Sequence, residues 1–235
     1  MNQSSDGPLI VAEDLTRVYN PGSTDVVGIQ GVDLNIAAGE MVVVKGNSGS
    51  GKSTLLALLG GLDRPTAGRL SVAGQDLRQA TGTDLNRYRR DAVGMVFQTF
   101  NLLPTLTVIE NVCLPALLAG RSLDEVKTRA REWLKMLNFE GRLNHYPGQI
   151  SGGEMQRTAI ARALINNPRI ILADEPTGNL DSRNGTAVIE LLAELNRGLN
   201  RTVILATHST LADPYATHKI CLKDGRVTES APCDP

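Results

Sequence analysis

The octapeptide Gly46-Asn47-Ser48-Gly49-Ser50-Gly51-Lys52-Ser53 constrains this 235-residue chain more than any other feature. It fits G-x-x-x-x-G-K-[ST] in the context that pattern needs, with the apolar run MVVV at 41–44 before it and TLLALLGGL after it. Glycines let the backbone wrap a phosphate without Cβ clashes, so several N–H groups point inward. A helix beginning near Lys52 adds its positive end. Lys52 sets a cation against the β- and γ-phosphates, and Ser53 offers a hydroxyl to Mg²⁺. Residues 46–54, ending at Thr54, form the candidate nucleotide cradle.

MVVV is short, continuous and branched, which predicts a strand buried on both faces of a parallel sheet covered by helices. IILA at 170–173 and VILA at 203–206 are of the same kind, and VGMVF at 93–97 ends at Gln98. IILADE places Asp174 and Glu175 at a strand tip. Asp174 suits a Mg²⁺ position, directly or through water, and Glu175 suits a water in line with the γ-phosphate. The competing explanation is an acidic loop after a core strand. Residues 9–14 and 26–36 read as further strands, and Asp224-Gly225 between ICLK and RVTE as a two-residue hairpin turn. Ser122 opens an S-x-x-E box before a helix with Val126, Ala130, Leu134 and Leu137 on one face, and a second helix is predicted over 151–166. Residues 1–8 read as a frayed end.

The net charge of −1 opposes broad nucleic-acid binding and a polybasic membrane surface, and 3% aromatics oppose a base-stacking channel. The odd count of three cysteines without CxxC predicts neither a disulfide framework nor a zinc ribbon but a reducing compartment, with Cys113 and Cys221 as small core residues. No signal peptide and no membrane-spanning run are expected. Trp133 reads as helix packing, and His145 and His218 as surface residues.

Further motifs follow in order: Gln98, ISGGEMQR at 150–157, ADEPTGNLD at 173–181 and His208. With the phosphate loop, they make residues 9–229 resemble the ATPase subunits of ABC transporters. The resemblance implies one P-loop NTPase (RecA-like) α/β domain over 1–235. Its mainly parallel sheet and N-terminal antiparallel β subdomain would occupy 1–98 and 168–235, with an inserted helical signature subdomain at 99–167. It implies ATP and Mg²⁺ as ligands. Gln98 stands at the Q-loop position and joins Ser53 and Asp174 as a metal ligand. His208 stands at the switch-histidine position, although a lone histidine is usually structural. Tyr19 stands where an aromatic stacks on adenine, against the alternative of a loop aromatic. Asp181 is the D-loop carboxylate that reaches the opposite subunit. Glu175, His208, Lys52 and Gln98 form the implied catalytic set.

Ser151-Gly152-Gly153-Glu154 is also an S-x-x-E box, so its helix start is a second anion site. The resemblance implies that it meets the phosphate loop of another copy, in a head-to-tail homodimer with ATP between them. Ile150 and Glu154 depart from the family's usual Leu and Gln, and both substitutions keep the local packing or cap. A single ATPase unit with no coiled coil and no added barrel is similar to the compact subunits that work with separate membrane chains. FQTFNLLPTLTVIENV at 97–112 and DEPTGNLDS at 174–182 narrow the similarity to the Lol-type, MacB-type and FtsE-type subfamily. That implies an integral membrane permease docked through Gln98 and residues 99–112, a periplasmic adaptor, peripheral placement on the cytoplasmic side of the inner membrane, and no nucleic acid. Phe100, Leu102 and Leu103 would then be exposed apolar residues, unless they pack under the helical subdomain. A soluble ATPase switch and a silent nucleotide-binding scaffold are the alternatives; intact Lys52, Asp174, Glu175 and His208 oppose the scaffold.

Overall fold

A computed structural model describes residues 7–228 apart from 21 and 23. Strands β1 (Ile10–Tyr19) and β2 (Val26–Ile36) precede β3 (Met41–Lys45), whose five residues are all buried. Val42 and Val44 enter one apolar cluster, and Met41 and Val43 enter the other. Because successive side chains leave opposite faces of a strand, residues 41–44 all face a core and are apolar, while the buried ammonium of Lys45 at the strand end pairs with Asp213 at 2.7 Å. The phosphate loop then leads into α1 (Lys52–Leu59).

The N-terminal layer is completed by β4 (Ala67–Val72) and β5 (Gln75–Asp76), which with β1 and β2 form an antiparallel sheet ordered β2-β1-β4-β5. After α2 (Gly82–Asp91) comes β6 (Val93–Phe97), then α3 (Val108–Leu118), α4 (Leu123–Met136) and α5 (Gly152–Leu164). β7 (Ile170–Asp174), α6 (Ser182–Leu199), β8 (Thr202–Ala206), β9 (His218–Lys223) and β10 (Arg226–Thr228) follow. The second sheet is ordered β10-β9-β3-β8-β7-β6. It is parallel except for β10, which returns antiparallel to β9. Asp224 and Gly225 both take positive φ, 49° and 76°, as a two-residue hairpin turn of that hand requires. The fold is therefore the expected α/β class, with a mainly parallel sheet, an N-terminal antiparallel sheet and helices.

One cluster lies between the two sheets with α1, and the other packs α3, α4, α5 and α6 on the opposite face of the parallel sheet. Val126, Ala130, Trp133, Leu134 and Leu137 are all buried in the second cluster. Ser122 caps α4 through Glu125 N–H without the return bond, so only half of the expected box forms. Thr107 with Glu110 and Ser151 with Glu154 form complete boxes at the starts of α3 and α5. Cys113 is buried in the core, but Cys221 is half-buried on β9 and disulfide-bonded, which removes the support the cysteines lent to a reducing compartment. Residues 1–6 and Cys233 lie outside the described residues.

Asn111 organises the stretch between β6 and α3. It is 1% exposed, accepts Leu103 N–H at 2.8 Å, and shares its amide protons among the carbonyls of Leu103, Leu106 and Thr107 at 2.9–3.1 Å. Asn111→Ala strands these groups and is expected to cost about 2–3 kcal/mol, read as a lower urea midpoint at unchanged slope.

Candidate functional site

The phosphate loop is braced from three sides. Gly51 precedes α1 at φ +104°, and a Cβ there would lie 2.5 Å from the Gly28 carbonyl on β2, so only glycine lets the loop approach that strand. Gly225, in the β9–β10 turn, donates its N–H to Ser50 O at 3.0 Å and accepts Gln30 N–H at 2.8 Å. Lys52 is 7% exposed, and its ammonium donates to Gly46 O at 2.7 Å and Asn47 O at 3.1 Å. Its nearest carboxylate, Glu175 Oε1, stands off at 3.7 Å.

Asp174 ends β7, in register with Phe97 of β6 and Ala206 of β8. Burial pushes its carboxyl pKa up, and the Glu175 charge pushes the same way, against the Ser53 hydroxyl and Lys52. Its Oδ1 is buried with no partner among the described residues. An unpaired carboxylate oxygen beside a serine hydroxyl fits Mg²⁺, which takes one or two protein oxygens and fills its other positions with water and substrate phosphate. Among the described residues no cluster of three or more His, Cys, Asp or Glu is placed to hold a metal ion.

Glu175 takes φ 44°, a left-handed conformation that is unfavourable for a residue with a Cβ. The kink is held by Glu175 N–H on Ala206 O at 2.9 Å and Gly178 N–H on Glu175 O at 3.0 Å. It turns the carboxylate off the strand line, and His208 Nδ1 lies 3.1 Å from it. The sequence shows no partner for Glu175 nearby; the fold supplies Lys52 from the start of α1 and His208 from beyond β8.

A cavity of about 820 Å³ gathers Tyr19, residues 47–49 and 51–54, Gln98, Glu175 and His208. Tyr19 donates its hydroxyl to Asp63 at 2.9 Å, and Arg17 lies 4.4 Å over its ring while pairing with the same Asp63 at 2.8 Å. Arg17 and Asp63 were not anticipated. Arg17 was findable, because residues two apart on a strand share a face. Gln98 follows β6, and Asn179 donates to its carbonyl at 3.0 Å. Asn179 is a second unanticipated holder.

Ser151, Gly152, Gly153 and Asp181 do not line that cavity. Ser151 caps α5 and gives both its N–H and its hydroxyl to the Glu154 carboxylate, at 2.7 and 2.9 Å. Burial raises the pKa of Glu154, but these two bonds and Arg142 outweigh it and hold the carboxyl below its usual range. Gly153 is buried, and a Cβ on it would meet Asn184 Oδ1 at 2.5 Å. Asp181 caps α6, its carboxylate accepting Asn184 N–H at 2.9 Å and Nδ2 at 2.7 Å.

Lys52→Ala is expected to weaken nucleotide binding by about 10–100-fold, the worth of one charge-assisted contact, measured by titration with a fluorescent ATP analogue. Arg should not rescue it, because the two carbonyls enclose a compact ammonium rather than a planar fork.

Comparison with known proteins places the chain in a family. The family model for ABC transporter matches residues 29–178, more than half the chain. The chain is 47% identical over 206 residues to the lipoprotein-releasing system ATP-binding protein LolD of Xylella fastidiosa, covering 88% of this chain and 86% of that protein. It is 46% identical over 220 residues to the macrolide export ATP-binding/permease protein MacB of Hyphomonas neptunium, where it covers 94% of this chain but 34% of the relative. The dimeric structure of MJ0796, a bacterial ABC transporter cassette, superposes with TM-score 0.87 at 44% identity, covering 94% of this chain and 97% of that one. A dimeric post-hydrolysis state of MJ0796 bound to ADP and Pi matches with TM-score 0.87 at 43% identity, over the same shares of the two chains. The chain therefore belongs to the ABC transporter family and is an ATPase of the group that contains LolD and MacB.

Proposed function

We propose that this chain powers a separate membrane permease by closing head to tail on a second copy around two ATP molecules. The observation that carries it is the separation of two phosphate-binding helix ends. The start of α1 opens into the cavity with Lys52, Glu175 and His208, whereas the start of α5 is absent from that lining. A second copy would bring its Ser151–Gly153 segment to the phosphates held at Lys52. In this reading residues 99–167 form a helical arm on a core made of 1–98 and 168–235.

Within each site Lys52 binds the β- and γ-phosphates, Tyr19 stacks on the base, and Glu175 takes the proton of the attacking water. His208 holds Glu175 and reaches the γ-phosphate. Ser53, Asp174 and Gln98 would hold Mg²⁺, which when bound offsets charge on the β- and γ-phosphate oxygens. ATP-stabilised closure of the two copies is the step that does work on the permease.

No helix among the described residues is long and apolar enough to cross a membrane. The MacB relative carries a permease in its name, and this chain covers 34% of it. A groove of about 650 Å³ beside β6 offers the docking place, with Leu62 53% exposed and Leu118 80% exposed along it. Of residues 99–112 only Asn101 lines this groove. Leu103 is 44% exposed, Phe100 and Leu102 are half-buried, and Val108, Ile109, Asn111 and Val112 belong to the interior. Attachment through the permease would hold the chain at the cytoplasmic face of the inner membrane.

Glu175→Gln is expected to keep ATP binding, lose about 10²–10⁴ in turnover and accumulate as an ATP-bound dimer in analytical ultracentrifugation. Turnover at the wild-type rate would refute its role as base. The dimer is tested by complementation. Gly153 is unsuitable, since any side chain there strikes Asn184 of its own chain. Ser151→Asp keeps a capping oxygen but sets a negative charge toward the incoming phosphates. Alone it should bind ATP without dimerising. Mixed with Lys52→Ala it should regain ATP-driven association, because one of the two composite sites is then intact. If each chain completes its own site, mixing restores nothing.

A further inference from the structure

The loop after β6 takes a backbone path that its residues would not choose alone. Phe100 and Asn101 are consecutive and both left-handed, at φ 60° and 50°. Asparagine tolerates that region, but a bulky aromatic seldom enters it. The turn is held from α5. Arg162 donates Nη2–H to Phe100 O at 2.7 Å and Nη1–H to Asn101 O, so one guanidinium fork takes two successive carbonyls. Burial lowers the Arg162 pKa.

Two other contacts bind the same loop. A Cβ on Gly152 would lie 4.0 Å from Phe100 Cζ, so the ring runs beside the start of α5, and Asn179 holds Gln98 O at 3.0 Å. Arg162 stands about three turns along α5 from Ser151 on one unbroken helix. Both Arg162 and Asn101 also line the groove beside β6. The guanidinium therefore lies where groove, Gln98 loop and signature helix converge.

We propose that Arg162 is a positioning residue for ATP hydrolysis: its fork on Phe100 and Asn101 fixes the loop that presents Gln98 and couples it to the helix that bears Ser151. This rests on Gln98 acting in the ATP site. A segment that fills the groove meets the fork directly and, by shifting it, moves Gln98 and Ser151 together. Lysine cannot substitute, since a single ammonium on a flexible stem does not hold two carbonyls in a fixed relation.

The test is a double-mutant cycle on the purified chain with Arg162→Lys, Gln98→Ala and the pair, reading turnover, Mg²⁺ requirement, nucleotide affinity and melting temperature. Arg162→Lys is expected to lower turnover about 10-fold or more and raise the Mg²⁺ concentration for half-maximal rate, while leaving nucleotide affinity within about 2-fold. The pair should be no slower than Gln98→Ala alone, because both changes disable one element. Losses that multiply, or an Arg162→Lys protein with wild-type turnover and Mg²⁺ requirement beside an impaired Gln98→Ala, would overturn the role of Arg162 and leave that of Gln98 standing. Wild-type turnover in Gln98→Ala would remove the reading of Gln98 and this inference with it. If Arg162→Lys melts far below wild type, Arg162→Gln, which is neutral and can reach one carbonyl, carries the same cycle with the same outcomes.

Discussion

A buried ammonium with only a loosely placed carboxylate for a counter-charge governs this molecule. Lys52 is 7% exposed and relies on two carbonyls, and its closest carboxylate is 3.7 Å away. Taking a cation out of water with incomplete pairing is unfavourable, and the surrounding loop offsets part of the cost by turning backbone oxygens inward. In the proposed function a phosphate supplies the missing charge. The rest of the site converges on that position from strand ends. Asp174 and Glu175 come from the end of β7, His208 from beyond β8, Gln98 from beyond β6 and the loop itself from β3. Parallel strands make this possible, because they deliver all their carboxyl ends to one edge of the sheet.

The sequence was legible where one residue type has one physical use. Buried parallel strands must be continuously apolar, and β3, β6, β7 and β8 lie within a residue of the runs that announce them. The glycine-rich loop and the S-x-x-E box before α5 declare themselves for the same reason. β4, β5 and α2 carry no comparable run and were not anticipated. Nor was α6, although Asp181 caps it and Val188, Ile189, Leu192 and Leu195 line its buried face at helical spacing. That pattern follows a stretch already dense with site motifs. Pairings made in space were out of reach altogether. Nothing local links Asp63 to Tyr19, Lys52 to Glu175, or Arg162 to Phe100. The sequence leaves open whether Phe100, Leu102 and Leu103 are exposed or packed under the helices; Asn111 folds that segment back so that only Leu103 of the three is well exposed.

Two turns in the site spend backbone strain to aim side chains. Glu175 leaves the line of β7 through a left-handed residue, and the loop after Gln98 contains two in succession. Such conformations persist only where neighbours enforce them. Here the enforcers are backbone hydrogen bonds to Ala206 and Gly178 in one case and the Arg162 fork in the other. The start of α5 is rigid for a different reason. Its glycines face Leu180 and Asn184 closely, while Glu154 holds the cap, so this helix end is preformed.

The contact between Gly225 and Ser50 joins the phosphate loop to a turn far later in the chain. β8 and β9, the strands on either side of β3, are also late. A polypeptide leaving the ribosome amino end first has residues 46–53 in the open long before any of these neighbours exists. Closing such distant contacts is the slow part of folding. The nascent chain thus carries its nucleotide motif without the frame that shapes it. Capacity for ATP therefore waits on the β9–β10 hairpin, and the protein cannot consume the cell's fuel before that turn has been made.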